Sequence, residues 1–337
     1  MSDSRGDARG TRVSIVVPAY NVAPYLADAI DSVLAQTHAA HEIIVVDDGS
    51  PDASADIASR YGARVRLIRQ RNRGIGAARN RGAAAATGDW LVFLDGDDVL
   101  EPDALAKQLD VAYRNPESVL VAGDGEQFND EGVVAPSIIG GPLAARLALS
   151  GPGELSGRFH LDLIAHNAFT TTGQAMVARA AFESVGGFLQ RREWSEDWDM
   201  WLRLSRRWPV TLHRGRVLRY RVRSESLSGA DAERPIRWSI WRVPVIRRHL
   251  ADASAEERVA LLSRLDGVVR EGAREAYYFG RHRNRARALR YLWRLSIRAR
   301  WHAAPLRNLV ALALPDAVVA AIARSVRALR ADSGRSA

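Results

Sequence analysis

A chain of 337 residues is long enough to bury a full core and to hold one large or two smaller domains. It has no cysteine, which excludes disulfides and thiolate metal sites and suits a reducing compartment. Net charge is +9, but residues 201–337 hold 30 Lys and Arg against 11 Asp and Glu, whereas residues 1–200 hold 18 against 28, so carboxylates and arginines collect in different parts of the chain.

The first residues, 1–11, are polar, lack the apolar centre of a signal peptide, and are expected to be disordered. Val13 to Val17, closed by Pro18, is a β-branched run and reads as a buried strand. Asn21 is predicted to cap the next helix, with Pro24 in its first turn and Leu26, Ile30, Val33 and Leu34 on one face. A second strand, Glu42 to Val46, ends at the acidic turn Asp47-Asp48-Gly49-Ser50-Pro51-Asp52. A third covers Val65 to Ile68, and a small-residue helix with Arg79 and Arg81 covers Ile75 to Ala86. A fourth, Trp90 to Leu94, stops abruptly at Asp95-Gly96-Asp97-Asp98. A helix from Pro102 to Arg114 and a fifth strand from Ser118 to Ala122 follow. This alternation predicts an α/β fold, a doubly wound, mostly parallel, Rossmann-like sheet. Ligands of such sheets bind beyond the carboxyl ends of the strands. Tyr20-Asn21, Asp47-Asp48 and Asp95-Gly96-Asp97 all lie there.

Residues 124–170 are rich in glycine and read as a loop insertion lining an acceptor cleft. A strand is predicted from Gln174 to Ala178, and a short helix from Ala180 to Val185 stopped by Gly186-Gly187. Ser195 can cap a helix that carries Glu196 and Asp197 in its first turn and an apolar face of Trp198, Trp201, Leu202 and Trp208. Trp194 stands just before this helix, and Trp198 and Trp201 suit a core. Strands are predicted at Val210 to Leu212 and Val217 to Val222, then a polar linker from Ser224 to Asp231. From Ala232 the pattern is helical and basic, which divides the chain into 1–11, 12–230 and 231–337. The most apolar late stretch, Leu309 to Ala323, is broken by Pro315 and Asp316 and is too short to span a bilayer.

Three carboxylates within four residues repel one another unless a cation or a set of donors compensates. Mg²⁺ and Mn²⁺ prefer oxygen ligands and often bind through one or two carboxylates plus substrate phosphates. Asp95, Asp97 and Asp98 therefore read as a metal–diphosphate site at a strand end, or as an acidic turn before a helix. Asp98 better suits the structural role. The eight histidines are scattered, and His160 and His166 lack ligand-like spacing.

The blocks Val16-Val17-Pro18-Ala19-Tyr20-Asn21, Val46-Asp47-Asp48-Gly49-Ser50-Pro51-Asp52, Arg73-Gly74-Ile75-Gly76-Ala77-Ala78-Arg79-Asn80 and Phe93-Leu94-Asp95-Gly96-Asp97-Asp98 occur in this order. Gly186-Gly187-Phe188, Glu196-Asp197-Trp198-Asp199, Tyr220-Arg221 and Ser226-Leu227-Ser228 continue them. Together they resemble the family 2 glycosyltransferases over roughly residues 12–228. The resemblance implies a GT-A fold with a C-terminal basic helical extension, a nucleotide-diphosphate sugar donor (a UDP-sugar first), Mn²⁺ or Mg²⁺, and inversion at the anomeric carbon. Pro18, Tyr20, Asn21 and Asp48, with Arg79 and Asp95, would bind the nucleotide; Tyr20 would stack on the base and Asp48 accept from its ring N–H. Asp97 would be the principal metal ligand, supported by Asp95. Asp197 matches the catalytic base, with Glu196 second and Asp199 third, and Arg79 would orient the acids through a salt bridge.

Two departures refine the expectation. Where many members have a histidine, this chain reads Arg221-Val222-Arg223-Ser224-Glu225, so an arginine could contact the diphosphate instead. The Gln-x-x-Arg-Trp motif of processive members is replaced by Arg234-Pro235-Ile236-Arg237-Trp238, which favours transfer of a single sugar. The expected acceptor is a glycan or a lipid-linked hydroxyl in bacterial cell-surface polysaccharide or glycolipid synthesis. The expected location is cytoplasmic, and the basic helices leave open a peripheral seat on an anionic membrane. No motif supports nucleic acid. A non-catalytic membrane-surface or nucleotide-binding module remains the alternative. A dinucleotide-dependent oxidoreductase is disfavoured, because Arg79 stands where the third glycine of Gly74-Ile75-Gly76 would be needed.

Overall fold

The computed structural model describes residues 10–151, 153–190, 195–223, 233–300 and 302–313. Trp194, the linker at 224–231, residues 1–9 and everything after Ala313 lie outside the described residues. The chain forms two compact units, 1–227 and 228–337.

In the first unit the order is β1 (Val13–Ala19), α1 (Leu26–Leu34), β2 (Glu42–Asp47), α2 (Ser54–Ser59), β3 (Arg66–Arg69), α3 (Ile75–Ala85), β4 (Trp90–Phe93), β5 (Val99–Leu100) and α4 (Ala104–Arg114). Then come β6 (Leu120–Asn129), β7 (Gly132–Ala135), α5 (Gly141–Leu149), β8 (Glu154–Gly157), α6 (His160–Ala165), β9 (Ala175–Ala178), α7 (Arg179–Ser184), α8 (Glu196–Arg207) and β10 (Val210–Arg221). The strands form one sheet in the order β3-β2-β1-β4-β9-β6-β10-β5, with β7 on β6 and β8 on β10. β3, β2, β1 and β4 are mutually parallel, as are β6 and β10, while β9 runs antiparallel to both neighbours.

The strand runs are apolar because helices cover both faces. Every residue of β1 is buried, which is the pattern of a central parallel strand. Helix α3 lies close to the sheet because its face is made of small residues. A Cβ on Gly82 would stand 2.3 Å from Val16 Cγ1, so only glycine fits there. Trp198 and Trp201 of α8 are fully buried, and Trp198 Nε1 donates to Leu163 O at 2.7 Å, which fits core residues.

The structure departs from expectation in four places. Asn21 is not a helix cap: its φ is +56°, a left-handed turn, and α1 begins at Leu26 after Tyr25. Asparagine tolerates this conformation better than other non-glycine residues. Helix α4 begins at Ala104 rather than Pro102. The glycine-rich region carries most of β6 together with β7, α5, β8 and α6. The two late apolar runs form one strand, β10, with register shifts between His213 and Leu218.

The second unit contains α9 (Arg234–His249), α10 (Ala255–His282), α11 (Arg285–Arg298) and α12 (Ala303–Ala313). Helix α10 starts with a capping box, in which Ser254 Oγ accepts from Glu257 N and the Glu257 side chain accepts from Ser254 N. Among the described residues no helix is long and apolar enough to cross a membrane.

Candidate active site

Because β2, β1 and β4 are adjacent and parallel, their carboxyl ends open side by side. The loop after β1 carries Tyr20, whose ring is 49% exposed. Pro18 pairs with Val46 across the sheet and is buried. The loop after β1 is pinned to the loop after β2. Ala23 N donates to Asp52 Oδ2 at 2.8 Å, Val22 N to Ser54 Oγ at 3.2 Å, and Asn21 N to Ser50 Oγ at 3.4 Å.

Asp48 is buried at the end of β2 and accepts three hydrogen bonds. Gln70 Nε2 and Arg73 N donate to its Oδ1, and Gly74 N donates to Oδ2, each at 2.8 Å. The carboxylate thereby shapes the segment that opens α3. Its Oδ2, which takes one of these donors, is the oxygen better able to accept a further hydrogen bond.

At the end of β4 the acids find different partners. A side chain between Asp95 and Asp97 would be crowded, since a Cβ at Gly96 would lie 3.0 Å from Val22 Cγ2 and 3.2 Å from Pro18 O. Asp95 Oδ1 accepts from Arg79 Nη2 at 2.7 Å, and its Oδ2 from Thr171 Oγ1 at 3.3 Å. Asp97 Oδ2 is ion-paired with Arg223 Nε at 2.7 Å. Burial, with the Asp95 charge added, raises the Asp97 carboxyl above the usual range, and Arg223 opposes the rise. Asp98 is fully buried and accepts from Arg221 N at 2.9 Å. Burial, then Asp97 and Asp95, push it well above the usual range. Its structural role is thus the one expected.

Arg79 is buried, with both amino groups engaged: Nη2 on Asp95 and Nη1 on Glu196 Oε1 at 2.8 Å. It was expected to help bind the nucleotide as well as to form a salt bridge. The arrangement is that of a strut between the acidic turn and the start of α8. Glu196 is 15% exposed at its side chain. Burial pushes its carboxyl up to about 7 against the pull of Arg79, with Asp197 and Asp95 adding to the rise. Asp197 is half-buried in the same helical turn. Asp199, the third candidate base, is fully buried and accepts from Arg203 Nε at 2.7 Å. Arg203 Nη2 in turn donates to Gly187 O, so this pair anchors α8 to the turn after α7 and is a structural feature.

Sequence reasoning missed Thr171 and Gln70 in this cluster, and it named Arg221 without its partners. Thr171 bridges Asp95 and Asp98, at 3.3 and 3.4 Å. Gln70 reaches Asp48. Arg221 donates from Nε to Asp97 O at 3.0 Å and from Nη2 to Asp28 Oδ2 at 3.0 Å. Arg221 carried a signal, its place in the Tyr-Arg block; Thr171 and Gln70 carried none.

The donor set suits a hard divalent cation. Asp97 and Asp95 offer carboxylate oxygens close enough for the Asp95 charge to raise the cost of ionising Asp97. Among the described residues no group of three His, Cys, Asp or Glu side chains forms a complete cage, so substrate oxygens would have to fill the shell.

Comparison with known proteins agrees with this geometry. A family model described as Glycosyl transferase family 2 matches residues 14–196. The uncharacterized glycosyltransferase EpsJ of Bacillus subtilis (strain 168) is 41% identical over 127 residues, 37% of each chain. The uncharacterized glycosyltransferase RP339 of Rickettsia prowazekii (strain Madrid E) is 28% identical over 198 residues, 58% of each chain. The matches thus span 37% and 58% of these relatives' lengths. The crystal structure of S. aureus TarS 1-349 in complex with UDP-GlcNAc shares the fold, with a TM-score of 0.60, 17% identity and 90% of each chain covered. The matched family segment covers more than half of the chain and includes the three strand ends that form the rim, and on that ground the chain belongs to glycosyltransferase family 2.

Proposed function

We propose that this chain is a metal-dependent, inverting glycosyltransferase that moves one sugar from a nucleotide-diphosphate sugar to a hydroxyl acceptor. The observation that carries this reading is the convergence of Tyr20, Asp48, Asp95 and Asp97 at three adjacent strand ends, with the Glu196–Asp197 turn tied to Asp95 through Arg79. The UDP-GlcNAc complex of TarS, which shares the fold, supports a UDP-sugar as donor.

Tyr20 stacks on the base and Asp48 accepts from it, beside Pro18 and Asn21. Asp97, with Asp95, would hold Mg²⁺ or Mn²⁺, which supplies positive charge against the charge gained by the leaving diphosphate. Asp197 accepts the proton of the acceptor hydroxyl. The oxygen then forms a bond to the anomeric carbon from the face opposite the diphosphate. The bond from that carbon to the phosphate oxygen breaks, and its electron pair leaves on the nucleoside diphosphate. Glu196 is the second candidate for the base, and its bond to Arg79 favours a positioning role.

The test is a panel of UDP-, GDP- and TDP-sugars assayed for binding and metal-dependent hydrolysis or transfer. Asp197→Asn is expected to lower transfer by about 10²- to 10⁴-fold while leaving donor affinity within about threefold of wild type. Comparable loss of both assigns Asp197 to the helix start alone. Absence of any turnover or nucleotide-sugar binding removes the transferase reading and leaves a non-catalytic module.

The arginine-rich second unit favours an acceptor linked to lipid or glycan at an anionic membrane surface, as in cell-surface polysaccharide or glycolipid synthesis. Residues 228–337 hold 22 Arg against 10 Asp and Glu. Co-sedimentation with vesicles that ignores both salt and anionic lipid content would overturn this part.

A further inference from the structure

The carboxyl end of β10 carries guanidinium groups that alternate with aromatic rings. Arg219 Cζ lies 4.4 Å from the centroid of Phe128. Arg221 lies 4.6 Å from Phe128 and 4.9 Å from Tyr25, and Arg223 lies 5.1 Å from Tyr25. Each guanidinium also meets an acid. Arg219 Nε donates to Glu126 Oε1 at 2.8 Å, Arg221 reaches Asp28, and Arg223 Nε stands 2.7 Å from Asp97 Oδ2. The run therefore ends on the carboxylate best suited to a divalent cation.

Asp97 has only 15% of its side chain exposed and has Asp95 and Asp98 beside it. A carboxylate so placed needs a counter-charge while it is ionised. A divalent ion on the same oxygen as Arg223 would face the guanidinium at close range, and the two cations repel.

We propose that Arg223 is the resident counter-ion of Asp97 and releases it to a divalent cation when a nucleoside diphosphate arrives to take the guanidinium. The proposal rests on the nucleotide-sugar reading above. The planar fork of arginine suits bidentate contact with phosphate oxygens. Tyr25 gives the guanidinium a seat that does not depend on Asp97. Arg223 is 20% exposed at its side chain, so an arriving anion can reach it. The consequence is positive coupling: diphosphate tightens metal binding, and metal tightens diphosphate binding by the same factor. Arg223 acts here as a positioning residue for the metal and the diphosphate.

The experiment titrates the full chain with Mn²⁺, following free Mn²⁺ by spin resonance, with and without saturating UDP. In wild type, UDP is expected to tighten Mn²⁺ binding by about tenfold, within the usual range of coupling between sites. In Arg223→Gln, Mn²⁺ alone is expected to bind about tenfold tighter than in wild type, and the gain from UDP to shrink to the part supplied by diphosphate oxygens that ligate the metal directly. Arg223→Lys keeps the charge without the fork and is expected to fall between. Arg219→Gln removes one arginine charge from the end of β10, four residues before Arg223, and is expected to keep wild-type Mn²⁺ affinity and coupling. Equal Mn²⁺ affinity in Arg223→Gln and wild type, or an undiminished gain from UDP, overturns the proposal. Failure of every form of the chain to bind UDP overturns the nucleotide-sugar reading itself and the proposal with it.

Discussion

Asp48, which is buried, and Asp97, which is half-buried, follow the two strands that flank β1 and lie on the same rim, but they are compensated differently. Asp48 is held by backbone and amide donors from a segment 22 to 26 residues further along the chain. Asp95 and Asp97 meet arginine side chains brought from elsewhere, Arg79 from α3 and Arg223 from just after β10. A carboxylate held by local donors is fixed and needs no cation. A carboxylate held by a guanidinium can exchange that partner for another cation. The first arrangement suits recognition of a neutral, hydrogen-bonding base. The second suits chemistry in which charge arrives and leaves.

The largest expected effect lies at the arginine-held end. Arg79 is the shared partner of Asp95 and Glu196. Arg79→Met leaves both carboxylates without it and is expected to cost about 3–5 kcal/mol of stability, read from urea denaturation midpoints. Arg79→Lys is expected to recover only part, because one ammonium cannot reproduce the two-armed fork. The pH dependence supplies a second check. Glu196 in the fold is pushed up to about 7, above its ordinary 4.5, so its stabilising contribution is present in full below the ordinary value and is lost as pH rises through about 7. Arg79 is the influence that limits this loss. The deficit of Arg79→Met should therefore widen as pH rises from about 6 to about 8, through the folded value of about 7. A deficit that stays constant across that range would detach Glu196 from the strut.

This contrast also explains how far the sequence could be read. β1, β2 and β4 announce themselves as short β-branched or aromatic runs, and each run ends in the residues that form the rim. Position along a parallel strand is enough to place Tyr20, Asp48 and Asp95 together. The antiparallel part was harder. The late residues of β6, Gly123 to Asn129, look like loop but gain strand structure by pairing with β10. β10 reads as two strands because His213 to Arg216 interrupts its apolar pattern with a bulge. The arginine partners were hidden for a different reason. Arg79 meets Glu196 across 117 positions, and Arg221 meets Asp28 across 193. A sequence supplies the charges of such pairs without their pairing. Asp199 shows the reverse case. Its partner Arg203 stands four residues on, a helical spacing, and the pair is one that local reasoning can find.

A smaller effect is expected at the donor-held end, and its form separates the two modes of compensation. Asp48→Asn keeps the shape of the side chain but replaces one acceptor oxygen with an amide donor. Of Gln70 Nε2, Arg73 N and Gly74 N, at least one then faces a donor in a buried setting. Leaving one such group unsatisfied costs about 1–3 kcal/mol, a loss that thermal unfolding can read. The same change removes the acceptor offered to the base, so donor affinity should fall while Mn²⁺ binding without nucleotide stays at the wild-type value. That separation is the decisive observation. If Asp48→Asn weakens metal binding as much as donor binding, the two ends of the rim act as one unit, and the division between a donor-held nucleoside end and an arginine-held diphosphate end fails.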